Sequence, residues 1–261
     1  MTSKRNHLSH AEFVGRLGQE PELKYTDDRT PYVRLSIATS ESFTSSSGVI
    51  QERTEWHQGV AWGDKAEAIA QSFAKGDSVI LAGSLRLNSY DKDGVKNRVT
   101  EVDIAEAKAN VSNEPSRNDS RLIGEVREPP VTKTLDSGVQ MTTLSLAVRT
   151  TVDGREGPRE REDWHRVTLW GKTAEAARDI GAGDTVAING SLRHRMVPGD
   201  DGQERKLSAI NGHKFQILER AVERAQGAPG PAKDLAGGAP EGAEKPRTRS
   251  RTRAKGVERG I

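Results

Sequence analysis

Residues 55–63 read Glu-Trp-His-Gln-Gly-Val-Ala-Trp-Gly, and residues 163–171 read Asp-Trp-His-Arg-Val-Thr-Leu-Trp-Gly. In each stretch two tryptophans stand six positions apart. The second stretch decides the fold because its side chains alternate strictly. His165, Val167 and Leu169 share one parity; Trp164, Arg166, Thr168 and Trp170 share the other. A period of two belongs to a β-strand, whose successive side chains point to opposite faces. The first set suits a barrel interior. The second puts two indoles on an outward surface with a guanidinium and a hydroxyl between them. In the first stretch the same parity places Trp56, Gln58, Val60 and Trp62 outward, with His57, Gly59 and Ala61 inward. At about 3.3 Å per residue the paired indoles are roughly 20 Å apart, too far to stack on each other.

The echo continues outward from these strands. Arg34-Leu35-Ser36-Ile37-Ala38 matches Thr143-Leu144-Ser145-Leu146-Ala147 at an offset of 109. Gly76-Asp77-Ser78-Val79 matches Gly183-Asp184-Thr185-Val186, and Gly83-Ser84-Leu85-Arg86 matches Gly190-Ser191-Leu192-Arg193, both at 107. An offset that drifts so little means a duplicated domain with small changes in loop length. All four tryptophans of the chain lie in the paired segments.

Short β-type runs dominate each copy; in the first they are expected at 12–17, 32–39, 55–62, 78–87 and 97–104. Asp93-Gly94 and Asp201-Gly202 suit hairpin turns, since glycine accepts positive φ. One helix interrupts each series. The first is expected over 64–74, with Asp64 as N-cap, Glu67 three residues on and Gly76 as the stop; the second is expected over 172–180. Five strands with a helix between the third and fourth is the order of an OB-fold, a small Greek-key barrel. The expected fold is therefore all-β, with two tandem five-stranded OB barrels at 8–109 and 120–219 and a linker at 110–119. Residues 220–261 form a tail rich in Gly, Ala, Pro and charge without aromatic mass, expected to be disordered. Its arginines alternate with hydroxyls from Arg247 to Arg253.

Composition bounds the function. With 33% hydrophobic and only 4% aromatic residues, each aromatic side chain needs a reason. No apolar run approaches the ~18 residues of a membrane span, and the N-terminus does not read as a signal peptide. Cysteine is absent, which excludes disulfides, zinc knuckles and thiol chemistry and points to the cytoplasm. The net charge of +2 is uneven: residues 220–261 carry ten Lys/Arg against five Asp/Glu, leaving a net of −3 for the two domains. Cations on a nucleic-acid surface would therefore have to be concentrated locally.

Outward aromatics with polar residues between them suit base stacking, which tolerates any sequence because every base has a π-face. The fourth strand adds Arg86 and its counterpart Arg193, opposite in parity to Val79, Leu81 and Leu85. A catalytic reading finds little. Gly171-Lys172-Thr173 lacks the glycine that a phosphate-binding loop needs five residues earlier, where Arg166 stands. His57 and His165 have inward parity and read as structural. No catalytic residue, metal or cofactor is expected.

Phe13-Val14-Gly15-Arg16-Leu17-Gly18, Pro21-Glu22-Leu23, Ala38-Thr39-Ser40-Glu41-Ser42-Phe43 and Thr54-Glu55-Trp56-His57 together resemble bacterial single-stranded DNA-binding proteins. In copy two, Asp163-Trp164-His165-Arg166-Val167 and Trp170-Gly171-Lys172 carry the same resemblance. It spans about residues 8–219. The resemblance implies that Phe43, Trp56, Trp62 and Tyr90 stack on bases, matched in copy two by Trp164 and Trp170 alone; Val152 and Val197 stand at the other two places. With Arg86, Arg166 and Arg193 these form the expected DNA-binding set. Copy one is expected to bind mainly through stacking and copy two to lean on the charge of Arg166. The family assembles four OB-folds, so a two-fold chain is expected to work as a homodimer on single-stranded DNA in replication, recombination or repair. Its acidic terminal peptide, which recruits other enzymes, has no match in Arg253-Ala254-Lys255-Gly256-Val257-Glu258-Arg259-Gly260-Ile261. The alternative is an OB-fold scaffold that binds protein, with the tryptophans in its interfaces.

Overall fold

The structure, a computed structural model, describes residues 7–45, 47–92, 95–154, 157–199 and 202–221. The tail from 222 onward, the turn Asp93-Gly94 and Asp201 lie outside the described residues. Copy one comprises β1 (Leu8–Leu17), β2 (Leu23–Tyr25), β3 (Pro31–Thr44), β4 (Ile50–Trp62), α1 (Asp64–Ser72), β5 (Ser78–Lys92) and β6 (Val95–Ala109). Copy two repeats the order with β7 (Arg117–Val126), β8 (Val131–Thr134), β9 (Gln140–Gly154), β10 (Gly157–Trp170), α2 (Gly171–Ala176), β11 (Thr185–Pro198) and β12 (Glu204–Glu219).

Each copy closes a five-stranded barrel. The sheet runs β2-β3-β4-β6-β5-β1-β7-β11-β12-β10-β9-β8, and the added pairings β3–β1 and β7–β9 complete the two rings. Closure requires bare backbone at one place in each. A Cβ on Gly15 would meet the Ala38 carbonyl oxygen at 2.1 Å, and one on Gly124, its counterpart, would meet that of Ala147 at 2.4 Å. Inside the barrels Phe13, Leu35, Ile37, Leu81 and Ile104 of copy one, and Leu122, Leu146, Leu169, Ile188 and Ile210 of copy two, are fully buried. Each such side chain stabilises the fold by about 1.5–3 kcal/mol.

Sequence reading leads one to expect two barrels on a linker; the structure joins them in one twelve-stranded sheet. Leu8 pairs with Ile123, Ala11 with Ser120 and Val14 with Arg117, antiparallel along β1 and β7. Ser120 is the counterpart of Ala11 at offset 109, so the seam is a pseudo-two-fold contact in which each copy offers the same strand. Because β7 starts at Arg117, residues 117–119 of the expected linker are strand.

Strands run longer than their apolar alternation. β4 begins at Ile50, through exposed Gln51, Glu52, Arg53 and Thr54, and pairs with β3 as far as Thr44↔Ile50. These outer segments are hairpin arms with little apolar periodicity to read. The helices are shorter than expected. Gly63, not Asp64, precedes α1, with φ 62°, and Gly171 has φ 53° at the start of α2. Left-handed backbone here explains why glycine follows the second tryptophan of each pair. Phe73 is extended and packs against the core, ending α1 after Ser72. α2 gives way to a 3₁₀ turn over Ala177–Asp179.

Candidate nucleic-acid interface

Strand alternation puts the indoles outside, as expected. Trp56, Trp164 and Trp170 are 49%, 47% and 41% exposed, while His57 and His165 beside them are buried. Trp62 is half-covered: it pairs with Tyr32 across β3–β4, the ring centroids 5.3 Å apart. Phe43 is exposed near the tip of β3, with the Arg53 guanidinium 5.0 Å from its ring centroid. Tyr90 falls on β5, and its side chain lies outside what is described.

Val60 departs from expectation. It has outward parity but is fully buried. Arg34 on β3 stands opposite it, and the Arg34 guanidinium reaches across β4 to Glu101 on β6 at 3.0 Å, roofing the valine. Arg34 thereby sits between the two indoles of copy one, beside Gln58, which donates to the Ser36 hydroxyl at 3.1 Å. In copy two the counterpart of Arg34 is Thr143, and the arginine between the indoles is Arg166, opposite Ser145. Each face therefore has one arginine between its indoles, drawn from a different strand. Arg34 was missed because parity along one strand cannot show what the neighbouring strand contributes; the register of the β3–β4 hairpin reveals it.

Arg86 and Arg193 are not free cations. Glu101, its side chain 1% exposed, holds Arg34 and also Arg86, the latter at 3.5 Å, and the Arg86 side chain is only 18% exposed. Arg193 crosses between copies: it binds Glu41 and lies 3.5 Å from Glu55, with its side chain 15% exposed. Burial raises the Glu41 pKa, but hydrogen bonds from Arg53 and Arg193 outweigh it and hold the carboxyl below its usual range. Further ties between copies include Leu87 N–H to Asp163 at 3.0 Å and Thr100 N–H to the Ser208 hydroxyl at 3.1 Å.

The first indole of each pair is positioned differently. Trp56 lies against Gly18, where a Cβ would come within 2.2 Å of the ring. At the counterpart of Gly18 stands Arg127, whose guanidinium lies 5.5 Å from the Trp164 ring centroid. Trp164 Nε1 donates to Glu162 at 2.9 Å, and Arg127 and Arg149 donate to the same carboxylate at 2.8 and 2.7 Å. Arg127 first, with Trp164 and Arg149, lowers the Glu162 pKa to about 2. Among the described residues, Trp164 is thus the indole locked by a hydrogen bond.

The histidines serve the framework. His57 stacks on Phe13 at 4.2 Å, its Nε2 lies 2.9 Å from the Thr39 hydroxyl, and its ring centroid is 5.6 Å from that of His194 in copy two. Burial, with His194, Arg193 and Lys206 nearby, lowers its pKa to about 3. His194 is lowered to about 3 by burial and Lys206, and burial takes His165 to about 4 with Arg161 adding and Asp163 opposing. Among the described residues no cluster of three or more His, Asp or Glu could hold a metal ion.

A family model described as the single-strand binding protein family matches residues 8–110 and again 117–218. The single-stranded DNA-binding protein 1 of Chlorobaculum tepidum is 42% identical over 97 residues, which cover 36% of this chain and 60% of that protein. The single-stranded DNA-binding protein of Deinococcus radiodurans is 24% identical over 234 residues, 84% of this chain and 78% of that one. Among solved structures, wild-type single-stranded DNA binding protein from Thermus aquaticus superposes with a TM-score of 0.67 at 21% identity, covering 82% of this chain and 94% of that chain.

Proposed function

The chain belongs to the single-strand binding protein family, and on that premise we propose that it binds single-stranded DNA without regard to base sequence, protecting it during replication, recombination or repair. The observation that carries this is the outward indole pair, present in both copies, with an arginine between its members. Trp56, Trp62, Trp164 and Trp170 stack on bases; Arg34 and Arg166 meet phosphates. Phe43 and Tyr90 join the stacking set by their places in the family pattern. Arg86 and Arg193 belong instead to the framework, because carboxylates hold them and their side chains are only 18% and 15% exposed, whereas Arg34, though also paired with Glu101, is 49% exposed. No turnover is involved, and an oligonucleotide incubated with the protein and Mg²⁺ should stay intact.

Adding oligo(dT) should quench tryptophan fluorescence, since stacking covers the indoles. An unchanged signal would favour a protein-binding scaffold. The logarithm of the affinity should fall linearly with that of salt concentration, by ~0.7 per phosphate contacted. Duplex DNA competing as well as oligo(dT) would overturn the single-strand assignment. The active form in this proposal is a homodimer carrying four barrels, acting on DNA in the cytoplasm. No described helix is long and apolar enough to cross a membrane. Light scattering should return twice the chain mass of 28.4 kDa; a monomer that still binds DNA would refute the dimer.

A further inference from the structure

On the outer face of copy two, two clefts lie side by side. One, of about 260 Å³, contains Trp170, Arg195 and, from the β3–β4 hairpin of copy one, Arg53. The other, of about 370 Å³, contains Trp164, Arg166 and, from the β5–β6 hairpin of copy one, Leu87 and Arg98. Thr143 and Leu207 line both, so the clefts meet over these two residues. The two indoles of copy two thus lie in one groove whose far walls belong to copy one.

We infer that this groove is a composite nucleotide-binding channel, in which the single strand seated on copy two is also held by the hairpin arms of copy one. The inference rests on the single-strand reading above and adds to it a path and two residues, Arg53 and Arg98. The chemistry suits a nucleotide. Indole faces and the Leu207 side chain receive bases, while guanidiniums from both copies face the phosphates. Cation balance supports this: Arg98, Arg166 and Arg195 have no carboxylate partner among the described residues, and Glu128 is the acidic member of the lining. The Arg53 side chain is 45% exposed although it donates to Glu41. The walls are fixed, since the contacts Leu87–Asp163 and Thr100–Ser208 tie the β5–β6 arm to copy two beside the second cleft.

The test uses the full chain with Trp56→Phe and Trp62→Phe, so that only Trp164 and Trp170 report. Oligo(dT) should quench these indoles. Arg98→Glu, which breaks no ion pair among the described residues, should raise the midpoint of that titration about tenfold at low salt and lower its salt slope by about one. Arg53→Glu should act in the same direction. Lys75→Glu makes the same charge change on copy one after α1, outside the groove lining, and should move the midpoint less than about threefold, because it places no charge on the groove walls. If both arginine reversals match Lys75→Glu, the composite channel is wrong while single-strand binding stands. Absence of quenching in this parent would sink the channel alone, and its absence in the unmodified chain as well would sink both.

Discussion

Arg34 and Arg166 occupy the same place between the indoles of their copies although they stand on different strands, one on β3 and one on β10. Glu101 holds Arg34 at 3.0 Å while Arg166 has no carboxylate partner among the described residues, so copy two is still proposed to lean more on charge. Arg34→Ala and Arg166→Ala should each lower the salt slope by somewhat under one, with little change in base preference. A slope unmoved by Arg34→Ala would mean that Glu101 has already neutralised that guanidinium. Arg193 should behave otherwise. Removing it leaves Glu41 and Glu55 without their shared cation at the junction of the copies. Arg193→Ala should cost about 1–3 kcal/mol of stability in a denaturant titration, because charged hydrogen bonds are lost around partly buried groups. Its salt slope should stay close to that of the unmodified chain; a full-unit drop at unchanged stability would restore Arg193 to the DNA-binding set.

Closure of each barrel rests on one glycine in β1 and its counterpart in β7. At Gly15 and Gly124 a methyl group would run into backbone carbonyl oxygen, not into a side chain that can turn away. Gly15→Ala or Gly124→Ala must push β1 from β3, or β7 from β9, and should lower stability by about 1–3 kcal/mol, the usual cost of overpacking. The denaturation midpoint measures it, and an unchanged midpoint would show that the strands separate there at no cost. Neither position is among the proposed DNA contacts, so affinity per folded molecule should hold.

Across the whole molecule, two buried imidazoles, His57 and His165, and the half-buried His194 make the fold sensitive to acid. His57, His194 and His165 have pKa values lowered to about 3, 3 and 4 from 6.5. Because the folded state keeps them neutral, their contribution is fully present above the unfolded value. It declines as pH falls below 6.5, since the unfolded chain takes up protons that the folded chain refuses, and the loss continues toward the folded pKa values. Well below 6.5 the slope approaches about 1.4 kcal/mol per pH unit for each imidazole. His57 and His194 face each other with Arg193 and Lys206 close by, so a proton on either adds positive charge where positive charge already lies. Urea midpoints should fall between pH 7 and pH 5.5, above the usual carboxylate range, and His57→Gln with His194→Gln should flatten that fall. A pH-independent midpoint in the unmodified chain over this window would contradict the neutral state of these histidines in the fold.

Periodicity and repetition carried a good deal of this protein. Alternation in 164–170 determined the strand, its buried face and its exposed indoles, because a period of two leaves each side chain only two directions. The repeat determined that there are two barrels, and glycine after each second tryptophan marked a turn that demands positive φ. Contacts made through neighbouring strands could not be read this way. The roof over Val60, the capture of Arg86 by Glu101 and the arginine that copy one places between its indoles all depend on inter-strand register, which brings together residues as far apart as Arg34 and Glu101. The continuous sheet through β1 and β7 and the hairpin walls beside Trp164 and Trp170 depend on how the copies dock. Local propensity determines what a strand is. Which strand lies beside it follows from burial and hydrogen bonding summed over the whole chain, and that decided which cations are left for DNA.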